Sequence, residues 1–79
     1  VMPTKLRIGP FRFFFYSNEY GEPPHIHVQR ERKLAKFWLR PVSLAGTTRF
    51  PMKELRKIEL LVIENRETLL EAWNEHFGS

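Results

Sequence analysis

Two hydrophobic periods share this chain, and the switch between them falls at Phe50-Pro51. Before that point, short runs alternate apolar and polar residues with period two, as half-buried strands do. After it, apolar residues recur about every three and a half positions, as on one face of a helix. A chain of 79 residues has room for one core, so strands and helices must share it. The expectation is an α+β fold in a single domain over residues 2–79, with a sheet over 6–50 and a helical segment over 51–77.

The strand runs are Arg12 to Tyr16, His25 to Arg30 and Leu34 to Arg40. Gly9-Pro10 punctuates the first, and residues 17–24, with Asn18, Gly21 and Pro23-Pro24, read as a loop. Glu31-Arg32 makes a tight polar turn, and Pro41 ends the third run because it has no N–H to give a ladder. The antiparallel sheet therefore has three strands, or four if Val42 to Leu44 adds a short one; Gly46-Thr47-Thr48 reads as a turn. Pro51 suits a first helical turn, and Leu55, Ile58, Leu61, Val62, Leu69, Trp73 and Phe77 make one stripe. Polar Asn65-Arg66 interrupts it, which predicts two helices packed on one sheet face, with Asn65 capping the second and Gly78 closing it.

The chain has no cysteine, so neither a disulfide nor a Cys-ligated zinc site is available. Seven Phe, two Trp and two Tyr supply core area instead. No apolar run is long enough to span a membrane, no secretory leader is visible, and a cytoplasmic location is expected. Nine Lys/Arg against three Glu lie before residue 51, and four against six after it. The basic first half suits a polyanionic or acidic partner.

Alternation sorts each strand into faces. Phe11, Phe13 and Phe15, Ile26 and Val28, and Ala35, Phe37 and Leu39 form the core side. Arg12, Phe14, Tyr16, His25, His27, Gln29, Lys36, Trp38 and Arg40 fall on the other. This second face mixes cations, imidazoles and aromatics, as a single-stranded RNA platform does. An apolar cluster of this size also predicts a covering surface: a loop of the chain, a second copy in a homodimer, or a partner protein. The candidate binding residues are Arg12, Phe14, Tyr16, His25, His27, Lys36, Trp38 and Arg40.

His25 and His27 project from one side of a strand, a spacing that metal sites use. They are the candidate metal ligands and the candidate acid–base pair, with Glu19 and Glu22 in the adjoining loop as the available third ligands. Two histidines alone require no metal, and no cofactor is expected. The chain has no Gly-rich phosphate loop and no nucleophile elbow.

The run Pro23-Pro24-His25-Ile26-His27-Val28, the strand Ala35-Lys36-Phe37-Trp38-Leu39 and the ending from Asn65 to Asn74 resemble the domain of unknown function 4160 family, over Pro3 to Phe77. The resemblance implies a small bacterial protein encoded beside another small domain, as in toxin–antitoxin pairs, hence a partner protein and RNA as a further contact. The expected function is a cytoplasmic protein- or RNA-binding module. The alternative is a small ribonuclease using His25 and His27, with or without metal.

Overall fold

The computed structural model describes residues 5–16 and 18–78; Ser17 and both ends of the 2–79 range lie outside them. Five strands form, β1 (Leu6–Ile8), β2 (Phe11–Phe14), β3 (His25–Arg30), β4 (Lys33–Leu39) and β5 (Val42–Thr48), followed by α1 (Met52–Glu64) and α2 (Arg66–Phe77). The sheet is an antiparallel meander in the order β1-β2-β3-β4-β5.

The sheet is thus wider than the expected three or four strands. Leu6-Arg7-Ile8 is too short to carry an alternation signal, yet it pairs with β2 across a two-residue turn. Gly9 makes that turn possible at φ +56°, a conformation glycine adopts without strain. Gly46-Thr47-Thr48 is not a turn: these residues continue β5. Lys36 pairs with Gly46 and Phe37 with Leu44, so Ala45 is the extra residue of a bulge, and the strand resumes beyond it.

The helices behave as their stripe predicts. Leu55, Ile58, Val62, Leu69 and Trp73 are buried with Phe11, Phe13, Phe15, Ile26, Val28, Ala35, Phe37 and Leu39 in one cluster. Leu61 and Phe77 pack partly buried against it. Pro51 stands at the N-cap of α1 with extended backbone rather than inside its first turn. The chain breaks at Asn65, but its amide does not cap α2; Nδ2 donates back to the Leu61 carbonyl at 2.8 Å. Gly78, at φ +76°, closes α2 as expected. Arg66 ties this junction to the sheet, Nε donating to the Leu39 carbonyl at 2.7 Å. Among the described residues no helix is long and apolar enough to cross a membrane.

Candidate functional site

Strand register decides which side chains meet on the face away from the helices. Arg12 stands opposite Gln29, Phe14 opposite His27, His27 opposite Lys36, and His25 opposite Trp38. The loop between β2 and β3 folds back onto this face, and its exit is pinned where the Leu39 N–H donates to the Pro24 carbonyl at 3.0 Å.

Glu19 is the hub that the loop delivers. Its Oε1 accepts the Tyr16 backbone N–H at 2.7 Å. Its Oε2 lies 2.7 Å from His25 Nε2 and 3.0 Å from His27 Nε2. The other His25 nitrogen, Nδ1, donates to the Pro23 carbonyl at 2.9 Å. His25 is fully buried, its ring 5.7 Å from Trp38 and 4.8 Å from Trp73 of α2. His27 Nδ1 is buried without a hydrogen-bond partner among the described residues.

The aromatic face is therefore not bare. Phe14 is only 3% exposed, because His27 stacks on it at 5.4 Å, Tyr16 meets it edge-on at 5.4 Å, and the Arg12 guanidinium lies 4.2 Å above its ring. Arg12 also donates to Gln29 Oε1. Of the candidate binding residues, Phe14, His25 and His27 are buried; Arg12, Tyr16, Lys36 and Trp38 are half-buried; Arg40 is exposed. Lys36 lies 4.6 Å over the Trp38 ring and donates to Glu22 at 2.8 Å. A cation on an aromatic face beside a carboxylate is a satisfied arrangement, so this pair offers a phosphate less than the isolated residues suggested. The chain itself covers this face, through its own loop and cations.

Burial by itself would raise the Glu19 carboxyl, but hydrogen bonds from His27, the Tyr16 N–H and His25, with the His25 charge, hold it below its ordinary value of 4.5. Burial depresses His27 below its ordinary 6.5; Glu19 opposes this by hydrogen bond and charge, while the His25 and Lys36 charges add to it. Both groups bind protons less readily when folded than when unfolded. Their contributions are fully present above 6.5 for His27 and above 4.5 for Glu19, and both are lost as pH falls. With a chelator present, the melting temperature should decline below pH 6.5 and more steeply below 4.5. Comparison with His27→Gln isolates the upper limb. A melting temperature that rises relative to His27→Gln on acidification from pH 7 to 5 would contradict this assignment.

A second candidate surface lies at the β5 edge. β5 is one of the two outer strands of the sheet, β1 being the other, and its residues from Ser43 to Thr48 are exposed. Leu44, exposed itself, lines a shallow groove with Phe37, Met52, Leu55, Arg56 and Glu59. The signal was present as eight uncharged residues, Pro41 to Thr48, between Arg40 and Arg49. Natural edge strands usually carry a charge or proline against pairing. Here Arg40 and Pro41 precede the strand, and Arg49 follows it.

A model of the family described as "Domain of unknown function (DUF4160)" matches residues 11–74, which include β2 to β5, the Glu19 loop and nearly all of both helices. No curated protein and no solved structure matches the chain.

Proposed function

The chain belongs to the domain of unknown function family DUF4160, and we propose that it is a protein-binding module that takes an extended segment of a partner protein onto the edge of β5. The observation that carries this reading is a seven-residue outer strand without a charge, exposed from Ser43 to Thr48. Its outward N–H and C=O groups offer a ladder, and strand addition uses such ladders for affinity with side-chain pockets for specificity. The groove beside Leu44 and Met52 gives the incoming strand an apolar seat, and Trp38, paired with Ser43, lies next to the edge on β4.

Charge argues for a different protein over a second copy. Paired antiparallel with itself about its centre, β5 would bring Arg40 of one copy within one register step of Arg49 of the other, at both ends. Both arginines are exposed, and neither forms an ion pair among the described residues. Like charges opposite each other disfavour pairing, whereas acidic residues flanking an incoming strand meet both. This fits the two-protein, toxin–antitoxin-like bacterial setting that the family resemblance implies. The ribonuclease alternative needs both imidazoles at a phosphate. Here both Nε2 atoms meet one carboxylate oxygen and both rings are buried, so binding is the better-supported reading.

Tagged chain expressed in its native cell should retain one partner protein. Ala45→Pro and Leu44→Lys should each lower that retention by at least about tenfold, while Leu60→Lys, on the exposed side of α1, leaves it unchanged. Light scattering on the purified parent should give a monomer. Retention indifferent to both edge variants, or a parent dimer that the edge variants dissociate, would contradict the reading.

A further inference from the structure

The Glu19–His25–His27 cluster is not used by the edge reading and stands independently of it. One ligand atom from each of the three residues can be chosen so that all lie within 4.8 Å of one another. The carboxylate oxygen sits 2.7 and 3.0 Å from the two imidazole nitrogens. Around a tetrahedral zinc, with bonds near 2.0–2.1 Å, ligand atoms lie about 3.3 Å apart. The two carboxylate–imidazole separations are therefore a few tenths of an ångström short of cation-holding spacing, the remaining pair of ligand atoms lies within 4.8 Å, and local side-chain shifts complete the set.

Two further observations point to a cation. The first is orientation. His25 Nδ1 faces the Pro23 carbonyl, which can only accept, so in the neutral ring Nδ1 carries the proton. The Nε2 lone pair then points at Glu19 Oε2, and a lone pair against a carboxylate oxygen is repulsive unless a proton or metal lies between them. An imidazole held by a backbone carbonyl on one nitrogen, with a ligating carboxylate itself held by a backbone N–H, is the supporting shell that metal sites employ. Both supports are present here, from Pro23 and from Tyr16. The second is convergence: the His27 Nε2 faces the same Glu19 oxygen at 3.0 Å that the His25 Nε2 meets at 2.7 Å. With Nε2 toward the metal, the His27 ring is positioned by stacking on Phe14 and by edge contact with Tyr16.

We infer that Glu19, His25 and His27 form a binding site for one divalent transition-metal cation, zinc foremost. Two imidazoles and one carboxylate suit zinc, cobalt or nickel and are poor ligands for magnesium or calcium, which require mostly oxygen. Solvent supplies the remaining position. The bound cation staples the β2–β3 loop to β3, a cross-link of the kind that small cysteine-free chains otherwise lack. It also fixes Glu19 and, through it, the backbone N–H of Tyr16, whose ring meets Phe14 edge-on.

The test uses the full chain, freed of metal by a chelator that is then removed, and titrated with zinc chloride alone. Calorimetry should give one saturable site per chain, and zinc should raise the melting temperature while magnesium does not. Glu19→Gln and His27→Asn should each weaken zinc by at least about tenfold. Glu22→Gln and His76→Gln should leave it unchanged. In case a site variant folds poorly, histidine ring nitrogen resonances of the parent provide a second reading. Zinc should shift His25 and His27 Nε2 and spare His76. Absence of a saturable site, affinity indifferent to Glu19→Gln, or a zinc response confined to His76 would each overturn the inference.

Discussion

Trp73→Ala will cost about 3–5 kcal/mol, the largest loss expected from one truncation in this chain. Trp73 is 3% exposed and is the side chain through which α2 reaches both the sheet and the site. Its ring packs 5.3 Å from Phe15, 4.1 Å from Phe77 and 4.8 Å from His25. Removing it opens a cavity under the end of β3 as well as stripping α2 of its main contact. A chain of this length has a stability of roughly 4–12 kcal/mol, so the variant loses about a quarter of it or more. Urea unfolding should move its midpoint down by at least about 1 M relative to the parent. An unchanged midpoint would mean that α2 does not pack where the structure places it.

Glu19→Ala will be the most damaging change outside the apolar core, at about 3 kcal/mol. The carboxylate is the acceptor for the Tyr16 N–H and the contact for both imidazole Nε2 atoms. Its side chain is 11% exposed and that of His25 fully buried, so water reaches the orphaned groups poorly. Each buried group left without a partner costs about 1–3 kcal/mol, and the losses are not additive because the three share one site. Glu19→Gln should recover part of the loss, since the amide oxygen still accepts while the charge is gone. Denaturant unfolding at pH 7 with chelator, on parent and both variants, checks the order. Glu19→Ala as stable as the parent would show that the cluster contributes nothing to the fold.

Much of the sheet was legible because alternation is a local property. The face assignments of Phe13, Ile26, Phe37 and Leu39 needed only the period and a core to bury against. Val42 to Leu44 was legible as a short strand, but the second half of β5 was misread because Ala45 and Gly46 lack the bulky side chains that mark strands. The glycine that read as a turn follows the bulge at Ala45 instead. β1 escaped because three residues cannot display a period, and only pairing with β2 makes them a strand. At the site, the histidine pair and Glu19 were visible as candidates. What alternation cannot supply is the fold of the β2–β3 loop. That loop adds Tyr16 to the strand residues Arg12 and His27 in covering Phe14, and it brings one Glu19 oxygen to both imidazoles. Lys36 was legible as a cation, but its engagement with Glu22 depends on the same loop.

On the function proposed above, β5 is an open edge that receives another protein's strand. Site-specific photo-crosslinking in the native cell tests it most directly, with the photoreactive residue at position 45 in β5 and, as a control, at position 60 on α1. Position 45 should crosslink to one other protein, less so when Leu44→Lys is added, and position 60 should give no crosslink to that protein. Crosslinks from position 45 only to further copies of the chain, or to the same protein equally from both positions, would contradict it.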